Sequence, residues 1–166
     1  MNTCTDDRQA VRINKSGATT IVEVTYSTLM EQARPMARAH YDEVCGDVTD
    51  APFALHDELY AKLEEAGVFF ILAAYQDGTL IGYSSNAMNV DLHSKDTTSV
   101  MNDSLFVDKA WRNSPIGLRL MKATEEAAKQ RGATLMVWPA RPSTVMSKIL
   151  EYRGYDMLNV IYSKEL

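Results

Sequence analysis

Cysteine is nearly missing from this sequence: Cys4 and Cys45 are the whole complement in 166 residues. One falls in a polar start and the other in a loop-like stretch, which excludes a disulfide framework. The three histidines, His40, His56 and His93, are too scattered to suggest a metal site. Ser143 has no nucleophile elbow around it and no triad spacing to those histidines. No apolar run approaches the ~20 residues that a bilayer span needs. Residues 1–20 are polar and carry Asp6 and Asp7, so the basic start and apolar middle of a signal peptide are missing too. A flexible tail over 1–19, a single domain over 20–166 and a cytoplasmic, reducing location are the expectations.

Basic charge is also short. The chain nets −5, which argues against nonspecific binding to nucleic acid. The deficit is uneven. Residues 1–100 carry 7 Lys/Arg against 15 Asp/Glu, and residues 101–166 carry 10 against 7. The C-terminal part is thus suited either to a compact anion or to a plain solvated face. The composition, 46% hydrophobic and 23% charged, is that of an ordinary globular protein. Nine methionines are present; Met30, Met36, Met121 and Met146 fall on helical apolar faces and read as core filler.

Periodicity supplies the elements. Residues 20–28 alternate as a strand. Residues 29–46 and 56–67 read as helices, the first kinked or split by Pro35 and the second closed by Gly67. A nearly all-apolar strand at 68–76 leads through Asp77-Gly78, a strong hairpin signal, into a strand at 79–90. A polar connection, 91–98, precedes a strand at 99–108, where Asn102-Asp103-Ser104 marks a bulge. A helix is expected from about Ser114 to Gln130, a strand at 133–138, a helix at 144–152 and a last strand from Tyr155 to Ser163. This order gives a mixed α+β or α/β domain, with a parallel crossover between the strands at 99–108 and 133–138.

One loop, Arg112-Asn-Ser-Pro-Ile-Gly117, carries the functional question. Ser114 is a favoured N-cap and Pro115 suits the first helical position, so the loop can do no more than start a helix. Gly117 weakens that first turn by roughly 1 kcal/mol against Ala. Unpaired helix N-terminal amides beside an Arg also suit a pyrophosphate. Both readings stand on the residues alone.

The phrase "LFVDKAWRNSPIGLRLMKATEEAAKQRGA", the Asp77-Gly78 hairpin with "LIGY", and "ILEYRGYDM" together resemble the GNAT superfamily of N-acetyltransferases. The resemblance covers roughly residues 20–166 and implies a central twisted mixed sheet flanked by helices. It implies acetyl transfer from acetyl-CoA to a primary amine by direct attack, without a metal. Val107 and Arg112 keep the family's distance, and Gly117 occupies the last position of its Arg/Gln-x-x-Gly-x-Gly/Ala motif. On that basis Val107, Arg112, Asn113, Ser114, Ile116, Gly117 and Leu118 are the expected coenzyme residues. The amides of Asn113, Ser114, Ile116 and Gly117 would be the donors.

Two positions depart from the family. Pro115 takes the place of the motif's first Gly and removes one N–H. Leu150 stands four residues before Gly154, where many members carry a Tyr that protonates the departing thiolate; Tyr152 points another way. Asp103, on the strand that borders the family's substrate cleft, is the expected base, facing the same way as Val107 if the strand is regular. Tyr83, Asn86 and Arg141 are the expected acceptor contacts, while Asp91 and His93 belong to a solvated loop. The acid-rich early helices favour a cationic, small-molecule or peptide amine. No membrane is involved, and a homodimer is compatible with the sequence. The alternative is a GNAT-fold binding or assembly module that no longer catalyses, similar to altered, phage-encoded versions of the fold.

Overall fold

The computed structural model describes residues 18–45, 51–161 and 164. Five strands form one sheet in chain order: β1 (Thr19–Val24), β2 (Phe69–Gln76), β3 (Thr79–Val90), β4 (Thr98–Val107) and β5 (Leu135–Val137). The first four pair antiparallel, and β5 joins β4 in parallel. The mixed α/β reading and its sheet flanked by helices hold. Residues 1–17 and 46–50 lie outside the described residues, and of the tail expected over 1–19, Thr19 belongs to β1.

β2 explains the layering. Its alternate residues Phe70, Leu72 and Ala74 pack with Ile116, Leu120 and Ala127 of α3 (Ile116–Gln130). Phe69, Ile71 and Ala73 face the other way, onto Tyr26, Leu29 and Ala33 of α1 (Tyr26–Cys45) and Tyr60 and Leu63 of α2 (Asp57–Glu65). A strand covered on both faces carries no polar alternation, which is why its sequence is a continuous apolar run. The hairpin that follows has Asp77 at φ 51° and Gly78 at φ 79°. Both central residues in the left-handed region make the turn whose twist matches two antiparallel strands.

Three boundaries differ from expectation. The first strand stops at Val24 because the Thr25 hydroxyl accepts the Thr28 amide at 3.2 Å and the Thr25 carbonyl accepts Leu29 N–H, starting α1 three residues early. α1 then runs unbroken through Pro35 to Cys45. At the other end, the strand expected from Tyr155 to Ser163 is absent over 155–161, and 162–163 lie outside the described residues. The Tyr155 hydroxyl donates to Glu125 at 2.5 Å and accepts from Trp138 Nε1 at 3.1 Å, tying the chain to α3. Met157, Leu158, Val160 and Ile161 beyond it are exposed. α4 (Val145–Tyr152) precedes this segment and buries Leu150 against Met121 and Trp138.

The bulge in β4 sits where the sequence marks it. Pairing with β3 jumps from Ser85↔Ser104 to Asn86↔Asn102, leaving Asp103 without a cross-strand partner. An extra residue shifts the side-chain alternation by one. Val100 before the bulge and Leu105 and Val107 after it all pack on the α3 side, whereas Phe106 packs on the α1 side. β5 pairs with β4 only along Ser99, Val100 and Met101. The two strands therefore part company just before Asp103.

Candidate active site

Asp103 and Ser104 both face the α1 side, at a cavity of about 40 Å³ lined also by Tyr26, Tyr60, Phe69 and Tyr83. The expectation that Asp103 shares a face with Val107 is thus corrected: it assumed a regular strand, and the bulge turns the two to opposite sides. Asp103 is exposed at the cavity mouth. Its Oδ2 accepts the Ser85 hydroxyl at 2.9 Å, and Ser85 shares a 2.6 Å hydrogen bond with Ser104. The Tyr60 hydroxyl lies in hydrogen-bonding reach of the same carboxylate; burial first, then the Asp103 charge, raises its pKa. Tyr83 is pushed up to about 12, chiefly by burial. These phenols stay protonated at neutral pH.

His40, on α1, lies near Asp103 without lining the cavity itself. Its ring centroid is 5.6 Å from that of Phe106. Burial lowers its pKa from the ordinary 6.5, against the opposite pull of the Glu43 and Asp103 charges. A neutral imidazole beside a carboxylate is a proton acceptor suited to neutral pH. Neither His40 nor Tyr60 has a sequence signature here. Each reaches the site from a helix distant in sequence, and helical spacing presents both simply as inward-facing residues.

Beneath the bulge, on the α3 side, lies a buried polar cluster. Asn102 Nδ2 is within 3.1 Å of four oxygens: Ser84 Oγ, the Ser85 and Ser104 carbonyls and Asn86 Oδ1. The Thr124 hydroxyl donates to Ser84 Oγ at 2.9 Å. The amide of Asn102 thus gathers one carbonyl from each strand, Ser85 of β3 and Ser104 of β4, where a regular ladder is interrupted. This also corrects the acceptor reading of Asn86. It is fully buried facing α3, on the opposite side of β3 from Tyr83. Tyr83 does line the cavity. Arg141 does not: its guanidinium donates to the Val44 carbonyl at the end of α1.

At the far end of β4, a short helical turn (Lys109–Trp111) leads to α3, which begins at Ile116 rather than Ser114. The Ser114 hydroxyl donates back to the Trp111 carbonyl, and its amide donates to that carbonyl at 3.0 Å. Ser114 is therefore spent inside the loop, and Ile116 N–H meets Ser114 Oγ at a long 3.5 Å. Among the described residues, the amides of Asn113, Gly117 and Leu118 have no such partner. A Cβ on Gly117 would meet only Val107 Cγ2, at 3.8 Å. Packing does not demand glycine there; an approaching ligand would. Gly82 differs, since its Cβ would fall 2.7 Å from the Phe106 carbonyl. The free amides, the bare Gly117 and the parting of β4 from β5 fit a pyrophosphate with an extended arm.

The Arg112 side chain does not point into that space. Its Nε donates to the Val107 carbonyl at 2.9 Å and its guanidinium pairs with Glu43 at 2.8 Å. Lys109 reaches the same carboxylate at 3.1 Å. Burial opposes the Glu43 charge, but the bonds from Arg112 and Lys109 outweigh it and hold the pKa below the ordinary value. Two further acids of these helices are paired in the same way. Asp42 pairs with Arg38, and Asp57 with Arg34 and the Tyr26 hydroxyl; Asp47 and Asp50 lie outside the described residues.

Among the described residues no helix is long and apolar enough to cross a membrane. No protein of curated function matches the sequence. Among solved structures, an aminoglycoside acetyltransferase from an uncultured soil metagenomic sample superposes with a TM-score of 0.71 at 16% identity, covering 90% of this chain and 99% of that one. An acetyl transferase of Pyrococcus furiosus gives 0.64 at 22%, covering 90% and 100%. A ribosomal-protein-alanine N-acetyltransferase of Brucella melitensis gives 0.67 at 15%, again covering 90% and 100%. These likenesses carry the fold. The sequence profile of the acetyltransferase (GNAT) family matches residues 28–147, well over half of the chain, and this protein belongs to that family.

Proposed function

We propose that the chain is an acetyl-CoA-dependent N-acetyltransferase acting on a primary amine. The observation that carries this reading is the bulge at Asp103. It sets a carboxylate on the acceptor side of the same strand whose end, at Val107, leads to the free amides of Gly117 and Leu118. Asp103 and Val107 are four residues apart, ~13 Å along a strand, so one extended ligand can bridge them. When bound, acetyl-CoA supplies an activated acyl carbon and a thiolate leaving group. The amides of Asn113, Gly117 and Leu118 and the dipole of α3 would hold its phosphates.

Asp103, with His40 near it, takes the proton that frees the amine lone pair. That pair forms the N–C bond as the C–S bond breaks, and the sulfur leaves with its electrons. One of the two remaining N–H protons is lost as the amide forms. The balance is one ammonium and one thioester giving an amide, a thiol and one proton. Leu150 is buried in the α4 core and donates nothing, so the thiolate takes its proton from water.

The same Leu150 favours a second reading, a coenzyme-binding module without transfer. Melting with and without acetyl-CoA, together with assay of free thiol release, separates the possibilities. At a coenzyme concentration of 100 Kd the fold should gain roughly 2.7 kcal/mol. Stabilisation without thiol release with any amine supports the module; indifference to acetyl-CoA removes both readings.

A further inference from the structure

Resting on the transferase reading, we propose that the acceptor is a small monoamine on a slender, unbranched apolar stem. Its nitrogen lies at Asp103 and its stem fills the cavity between α1, α2 and the sheet. Three observations lead there. First, nine of the twelve lining residues are aromatic or aliphatic, Tyr26, Leu29, Met30, Tyr60, Phe69 and Tyr83 among them. Tyr26 and Tyr60 stack at 4.7 Å, and Phe69 lies 5.3 Å from Tyr60. The Tyr26 hydroxyl is turned away to Asp57. The Tyr60 and Tyr83 hydroxyls are engaged by Asp103 and Ser104, so what the rings offer an incoming group is chiefly carbon surface, which suits methylenes and tolerates one ammonium.

Second, Asp103 is the sole carboxylate of the lining. The acids of α1 and α2 that are bound to Arg34, Arg38, Lys109 and Arg112 do not reach the cavity. A second ammonium on the acceptor would enter an apolar wall without a counter-charge, and desolvating it is costly. Third, the cavity of about 40 Å³ has room for about three water-sized groups, measured against the ~10–15 Å³ that one such probe occupies. A short alkyl stem fits. A sugar ring is too bulky to enter whole.

The test is a rate series with acetyl-CoA and n-alkylamines from ethyl to hexyl, matched α,ω-diamines, kanamycin and a lysine peptide. The expected result is a kcat/KM that rises with each methylene until the cavity is full and then falls. Each diamine should be at least tenfold poorer than its monoamine. Met30→Ala, which widens the wall, should move the optimum to a longer stem. A preference for diamine, kanamycin or peptide, or rates indifferent to stem length, overturns this proposal and leaves the transferase reading intact. No transfer to any amine, while acetyl-CoA still protects the fold, overturns both.

Discussion

The two faces of the β3–β4 pair are built on different principles. Toward α3 lie aliphatic side chains and a polar cluster whose members satisfy one another: Ser84, Asn86, Asn102 and Thr124 are all buried and all hydrogen-bonded. Toward α1 and α2 lie aromatic rings, a small void and a carboxylate exposed at its edge. One face is closed and holds shape. The other is left incomplete and is where chemistry has room. The lesson is that the closed face braces the open one, because Asn102 ties a carbonyl of β3 to a carbonyl of β4 at the bulge that presents Asp103.

The comparison breaks most severely at Asp103. On the transferase reading, Asp103→Asn keeps the shape and removes the base, so turnover should fall by about 10²-fold with acetyl-CoA affinity unchanged. Steady-state kinetics beside calorimetric titration of the coenzyme check this; unaltered turnover would leave the proton to solvent. Asn102→Ala attacks the closed face instead. Unsatisfied carbonyls and hydroxyls should cost about 1–3 kcal/mol in a urea melt. If Asn102 positions the bulge, turnover at a temperature where the variant is folded should fall as well; stability loss with normal turnover would confine it to the core.

Gly117→Glu sharpens the contrast from outside both faces. A Cβ has room there, and a carboxylate suits a helix N-terminus, so the fold should be kept. Coenzyme affinity should drop by about tenfold, or about 1.4 kcal/mol. Equal affinities in calorimetry would mean that the loop only starts a helix. The smallest effect is expected from His40. Its folded pKa lies below 6.5, so the unfolded chain binds its proton more readily. The stability tied to its neutral form is present above 6.5 and lost as pH falls through the folded pKa. Urea midpoints between pH 5 and 8 should therefore decline more steeply for the native chain than for His40→Gln.

What was legible in the sequence was local. The hairpin rests on Asp77-Gly78, the bulge on three polar residues inside an apolar run, and the helix after Pro115 on turn chemistry; each is decided within a few residues. The cavity beside Asp103 is not local. Tyr26, Tyr60 and Tyr83 meet there only through packing, and the bulge that turns Asp103 toward them also defeats the alternation used to orient it. Arg112 illustrates the same limit, because its charge and position suggested an anion, while Glu43 of a remote helix claims its guanidinium. The final strand failed for a related reason. Its apolar pattern is real, but past Tyr155, which Glu125 and Trp138 hold, Met157, Leu158, Val160 and Ile161 are exposed and pair with no strand among the described residues.

The extra residue at Asp103 can be separated from the layers around it. Without it, Asn102 toward α3 and Ser104 toward α1 would follow each other in unbroken alternation, and Leu105, Phe106 and Val107 would keep the layers they already occupy. The packing of β4 between its two helical layers therefore does not require this residue. What it adds is a carboxylate at the cavity edge, carried on a ladder that would close without it.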